Sequence, residues 1–345
     1  MKQMPVWVSR TLRALLSSRS SLHHALLFSG PEGVGKEWLA RLLAESLLCD
    51  LPGEHGLACG HCSGCRWMAQ DSHPDFRLVR PSADETVPEE GEAVAARPAK
   101  ASRDIRIEQI RGLAGFVEVA SHRGGAKVIL ITPADAMNGP ASNALLKTLE
   151  EPPPNTYFLL VTSRLSRLPA TVRSRCRPVP LPIPPRSEAL AWVVSQTGVD
   201  EERAHEWLAF CGGAPRRAAE LGSSDQAALH RDLIEAFAGG ERDSLLSSTD
   251  RISAHEPRIW VPILHAWCVD LSRCVARVAP RYFPAEATRL TSLAQRLDIE
   301  ALLEFEQWLK ALQRLVSHPL NPRLVADDAL SRYQALFEPR ASARS

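Results

Sequence analysis

Residues 24–37 read His-Ala-Leu-Leu-Phe-Ser-Gly-Pro-Glu-Gly-Val-Gly-Lys-Glu. A short apolar run, His24 to Phe28, ends in Ser29-Gly30-Pro31, which predicts a buried strand entering a turn. From Lys36 to Leu48 the residues Leu39, Leu42, Leu43 and Leu47 recur at helical spacing. The result is strand, glycine-rich loop, helix. Between strand and helix, Gly30, Gly33, Gly35 and Lys36 satisfy the G-x-x-x-x-G-K pattern of a phosphate loop. Small residues let backbone N–H groups converge on phosphate oxygens, the helix N-terminus adds its dipole, and the lysine serves the outer phosphates.

Two groups that a nucleotide hydrolase needs are missing from this frame. The residue after the lysine should be Ser or Thr, to reach Mg²⁺, and is Glu37. The buried strand expected over Lys127–Ile131 should end in acidic residues that hold the magnesium shell and orient water. Thr132-Pro133 stand there, and Asp135 follows beyond a turn that should aim its carboxylate elsewhere. Phosphoryl transfer rests on positioning and charge, so hydrolysis is not expected, while ATP binding stays open because the loop alone can cradle phosphates.

Further short apolar strands are expected at Phe76–Val79, Tyr157–Val161 and Val179–Leu181. Helices are expected around Ile107, Ile110 and Leu113, and over Ala141–Glu151, which Pro152-Pro153-Pro154 stops. Strands alternating with helices indicate an α/β fold with a parallel sheet covered on both faces. Residues 81–103 are acidic and rich in Pro and Ala, and read as a flexible surface insertion. Beyond the proline-rich Pro178 to Pro185 linker only helical patterns appear, broken at Gly212-Gly213, and the last residues, 340–345, read as frayed.

The 345 residues suggest two or three domains. A net charge of +1 argues against gripping nucleic acid by bulk charge. No run of 18 apolar residues or signal-peptide core is present, which points to the cytoplasm. Of eight cysteines, Cys49, Cys59, Cys62 and Cys65 crowd together. In a reducing compartment such a cluster reads as a metal site rather than a disulfide, and the Gly, Ser and His around it argue against packing cysteines. Four thiolates suit a closed, structural Zn²⁺ site with no open position for a water. His55 and His61 lie nearby but are not needed as ligands.

A phosphate-loop helix followed at once by a zinc module is an unusual pairing. With it come Asn143-Ala144-Leu145-Leu146-Lys147-Thr148-Leu149-Glu150-Glu151-Pro152-Pro153 and Ser174-Arg175-Cys176. His23-His24-Ala25-Leu26-Leu27, His73-Pro74-Asp75 and Asn321-Pro322-Arg323-Leu324 also fit. Over most of its length the chain resembles the bacterial clamp-loader family of DNA polymerase III, which comprises the gamma/tau ATPases and the delta-prime type. The resemblance implies a RecA-like AAA+ P-loop domain over 1–180 (zinc module 49–65), a small helical lid over 181–222 and an all-α collar over 223–339. It implies that Arg175 is an arginine finger acting on a neighbouring subunit's ATP, that Thr162 stands at the sensor-1 position and that Arg216 resembles the sensor-2 arginine.

The absent ATPase groups beside a retained finger match the delta-prime pattern, a stator with no catalytic activity of its own inside a polymerase holoenzyme. The implied partners are gamma/tau and delta subunits in a hetero-pentamer, with the sliding clamp and primer-template DNA reached through the complex. Two alternatives are an ATP-hydrolysing gamma/tau-type subunit and a zinc-dependent nucleic-acid-binding module.

Overall fold

The computed structural model describes residues 4–82, 102–122, 124–222, 226–239, 249–250, 252–316 and 321–337. Most of the 81–103 insertion and all of 340–345 lie outside them. The chain divides into two compact units, residues 1–188 and 189–345.

The first unit is built on five strands: β1 (Ala25–Ser29), β2 (Phe76–Val79), β3 (Lys127–Ile131), β4 (Thr156–Thr162) and β5 (Arg177–Pro180). They form one sheet in the order β2-β3-β4-β1-β5, and every pairing is parallel. Parallel strands need crossovers, and among the described residues seven helices supply them or flank the sheet. These are α1 (Val6–Ser17), α2 (Lys36–Leu47), α3 (Ser63–Ala69), α4 (Ile107–Arg111), α5 (Leu113–Glu118), α6 (Gly139–Glu150) and α7 (Ala170–Arg173). The expected segment around Ile107, Ile110 and Leu113 is two short helices parted at Gly112, a residue that weakens helices.

Strand side chains alternate between faces, and both faces are apolar. Ala25, Leu27, Ile129, Ile131, Phe158 and Leu160 join Ile105, Ile110, Leu145, Leu149 and Val172 in one core. The alternate residues Leu26, Phe28, Leu130 and Leu159 are equally buried on the opposite face, where α2 packs across β1, β3 and β4. A sheet buried on both sides accounts for strands that read as continuous apolar runs.

Among the described residues the second unit contains helices and no strand. Its helices are α8 (Arg186–Thr197, whose first residues belong to the first unit), α9 (Glu201–Phe210), α10 (Pro215–Gly222), α11 (Gln226–Gly239), α12 (Pro257–Val275), α13 (Ala287–Ala294), α14 (Ile299–Leu315) and α15 (Pro322–Ala335). Trp260, Trp267, Phe305, Leu309 and Tyr333 centre its core. The Trp267 indole N–H donates to the Tyr333 hydroxyl (2.9 Å), which donates to the Phe237 carbonyl (2.9 Å). Asp270 is fully buried and accepts the backbone N–H groups of Arg281, Tyr282 and Phe283. A buried carboxylate is tolerable only with such partners. No helix among the described residues is long and apolar enough to cross a membrane.

Candidate functional site

All five strands run the same way, so their C-terminal ends share one edge of the sheet, where ligands of open α/β sheets bind. The phosphate loop leaves β1 at that edge, and Ser29 lies in register with Thr162 at the end of β4. Gly35 caps α2 in the left-handed region (φ 99°), a conformation that glycine adopts without steric cost. Gly30 has no room for a side chain, because a Cβ there would stand 2.1 Å from the Leu181 carbonyl oxygen. From α1, the buried Trp7 indole N–H holds the loop by donating to Val34 O at 2.9 Å.

Lys36 is buried at the start of α2 and donates from Nζ to Pro31 O at 2.6 Å. Burial lowers its pKa, and the carboxylates of Glu32, Asp135 and Glu37 partly offset that. Glu37 is exposed on the helix. Asp135 corrects the expectation that its carboxylate is aimed away. The chain past Thr132-Pro133 forms a 3₁₀ turn, Ala134–Ala136, and brings the carboxylate back to the sheet edge. There Asp135 Oδ1 accepts the Thr162 hydroxyl at 2.7 Å, and the same hydroxyl accepts the Arg164 N–H at 3.0 Å. Gly30, Gly33, Gly35, Lys36, Thr162 and Asp135 therefore belong to one edge. Arg216 lies on α10 in the second unit and pairs with Glu220 one turn on.

The cysteine cluster closes as a unit. Cys49 follows the C-terminus of α2, and Cys62 caps α3. The four sulfurs lie within 4.8 Å of one another, with Cys49–Cys62 at 3.8 Å and Cys59–Cys65 at 3.9 Å. A tetrahedron with metal–sulfur bonds of about 2.3 Å has edges of about 3.8 Å, and a disulfide would need about 2.05 Å. Each sulfur also accepts at least one backbone N–H. Cys59 donates to Cys49, Cys62 to Cys59, Cys65 to Cys62 and Gly60 to Cys65, all at 3.3–3.4 Å. Burial alone would raise the Cys62 thiol, but the N–H groups of Cys65 and Asp50, together with hydrogen bonds from the neighbouring Cys65 and Cys59 thiols, outweigh it and bring its pKa down to about 6. Four sulfurs with four amide donors and tetrahedral spacing can hold a metal ion. His61 is exposed, with Nδ1 engaged by the Cys59 carbonyl.

Two residues that sequence reading passed over support this module. Asp50 accepts the Gly64 N–H at 3.0 Å. Arg41, on the phosphate-loop helix, pairs with Asp71 at 2.5 Å, donates to Met68 O, and lies over the Phe76 ring. Arginine and aspartate are too common for such pairings to stand out before the fold is known.

Arg175 follows α7 and stands two residues before β5, at the N-terminal edge of the sheet, away from the edge that carries the phosphate loop. Its Nε donates to Glu150 Oε1 at 2.7 Å, its Nη2 lies 2.5 Å from that oxygen, and its Nη1 donates to Thr171 O and Ser174 Oγ. The side chain keeps 35% of its surface exposed.

A family model described as DNA polymerase III, delta subunit, matches residues 8–184, which hold the phosphate loop, the cysteine cluster and Arg175. The DNA polymerase III subunit delta′ of Pseudomonas aeruginosa is 33% identical over 270 residues, 78% of this chain and 76% of that protein. The chain belongs to the DNA polymerase III delta′ family. It is a clamp-loader subunit. The delta′ subunit of Escherichia coli K12 is 29% identical over 92% of this chain and 90% of its own length. The E. coli tau subunit is 38% identical over only 46% of this chain and 22% of its own length. Similarity to the delta′ proteins thus runs through both units, and that to tau is confined to less than half of the chain.

Proposed function

We propose that this chain is the stator of a clamp loader: it turns over no ATP itself and lends Arg175 to the ATP site of a neighbouring subunit. The observation that carries this reading is the split character of the sheet edge. The glycine loop and Lys36 are built as for a nucleotide, yet Glu37 and Thr132-Pro133 stand where magnesium and water need their ligands. The Arg175 side chain meanwhile stays partly exposed. A guanidinium there neutralises charge developing on a γ-phosphate presented by a partner.

In this reading residues 1–180 are an AAA+ domain, 181–222 a lid and 223–339 a collar that joins gamma/tau and delta subunits in a pentamer. The loader places the sliding clamp on primer-template DNA. Thr162 and Arg216 occupy the two sensor positions. Cys49, Cys59, Cys62 and Cys65 hold one structural zinc, which would cross-link the segment between α2 and α3 and leave no position for a reacting water.

A second reading, an ATP-hydrolysing subunit, is favoured by Asp135, whose carboxylate returns to the sheet edge. The ATPase rate of the pure chain, set against that of a loader assembled from gamma/tau, delta and this chain, decides between them. Turnover by the pure chain at a rate near that of the loader would overturn the stator reading.

A further inference from the structure

We propose that Glu150 is a positioning residue for Arg175: it fixes the guanidinium edge that would meet a neighbour's phosphate. The inference rests on the reading of Arg175 as a finger acting in trans.

Arg175 has three donor nitrogens, and the structure divides them in two. Nη1 is tied to its own turn, through Thr171 O at 2.9 Å and Ser174 Oγ at 3.3 Å. Nε and Nη2, which form the edge that grips carboxylate or phosphate oxygens side by side, both converge on Glu150 Oε1. One carboxylate oxygen therefore stands where a phosphate oxygen would stand, and the planar fork is held in one orientation before any partner arrives. A free arginine side chain carries about 2 kcal/mol of rotamer entropy, and the carboxylate removes part of that freedom ahead of docking. A γ-phosphate bears more negative charge than Glu150 and can share or take over the edge without a new rotamer.

The position of Glu150 is itself informative. It is the last residue of α6, where free carbonyls disfavour an acidic side chain. Arg175 is its counter-charge in the fold. Both side chains are substantially exposed, so the pair contributes little to stability and its loss should leave folding intact. Orientation is the property at stake.

The test uses the loader assembled from gamma/tau, delta and this chain, with its DNA-stimulated ATPase measured over a range of ATP. Glu150→Ala should lower turnover at the one site that Arg175 serves by about two- to fivefold, the range an exposed ion pair supports, so the loader's kcat should fall by less than with Arg175→Ala, with KM for ATP, melting temperature and assembly unchanged. Glu150→Gln, which keeps an acceptor oxygen, should fall between that variant and the wild type. In an Arg175→Ala background neither Glu150 change should have any further effect. If Arg175→Ala slows the loader while Glu150→Ala matches or exceeds wild type, the positioning role is wrong and the finger stands. Equal effects of Glu150→Ala with and without Arg175 would also sink it, since Glu150 would then act through another group. If Arg175→Ala itself changes nothing, the finger reading fails first and takes this inference with it.

Discussion

The Thr162 hydroxyl donates to Asp135 Oδ1 at 2.7 Å and ties the end of β4 to the turn beyond β3. It sets a carboxylate near Lys36, whose pKa that charge helps to hold up against burial. One carboxylate at this edge does not replace the two missing groups, because Glu37 still occupies the hydroxyl position. The pure chain should therefore show no ATP turnover above background, with or without Asp135→Asn. Lys36→Ala should leave the ATPase rate of an assembled loader nearly unchanged. A magnesium-dependent activity of the pure chain that Asp135→Asn abolishes would establish Asp135 as a working acid and refute the stator reading.

One zinc ion per chain is expected in protein purified without chelator, measured by elemental analysis. Cys62→Ser should lose the metal, because three sulfurs and a hydroxyl make a poorer shell. Gly64→Ala tests the fold of the module rather than a ligand. A Cβ there would stand 2.5 Å from Leu48 O, so the α3 turn must shift and metal content should fall although all four cysteines remain. Full zinc content in Cys62→Ser would contradict the assigned ligand set.

The strand, loop and helix over residues 24–48 were legible because the signal is local. The apolar run became β1 at Ala25–Ser29, and the leucine spacing became α2 at Lys36–Leu47. The cysteine cluster was legible for the same reason, as its ligands sit within 17 positions of sequence, Cys49 to Cys65. Asp135 was misread because its partner Thr162 is 27 positions away and meets it only through the parallel register of β3 and β4. Glu150 belongs to a recognisable motif, yet its tie to Arg175 spans 25 positions and depends on how α6 and α7 pack. Local pattern carried the elements, and long-range pairing decided which carboxylates meet which partners.

Acid should destabilise the second unit through His230. The ring is buried beside Phe210 and Phe283, its Nε2 has no hydrogen-bond partner among the described residues, and burial brings its pKa down to about 4. The unfolded chain binds a proton at about pH 6.5, so between pH 6.5 and 4 the unfolded state holds more protons and stability falls as pH falls. The full cost below pH 4 is about 3 kcal/mol. His230→Phe should remove this slope. Urea titrations at pH 7 and pH 5 check it, and an equal slope in both proteins would show that the acid sensitivity lies elsewhere.

Tyr333→Phe should destabilise the second unit by about 1–3 kcal/mol, since it strands the buried Trp267 N–H and Phe237 carbonyl together. A urea midpoint equal to wild type would mean that water or a shifted side chain satisfies both groups.

The sharpest expectation concerns Arg175, whose work as a finger exists only in the assembly. Arg175→Ala should leave folding and zinc content intact, because the side chain is partly exposed and its ion pair with Glu150 is a surface one. In the loader it should slow clamp loading and lower the DNA-stimulated ATPase. The loss should be partial overall, because other ATP sites keep their own fingers, although at the served site it can reach on the order of 10³-fold. Arg175→Lys should fail nearly as badly. An ammonium can approach one phosphate oxygen, but it cannot present Nε and Nη2 together as Arg175 now presents them to Glu150. A loader that carries Arg175→Ala, assembles normally and loads clamps at the full rate would reduce Arg175 to a surface arginine, and the neighbour's site would then need another source of positive charge.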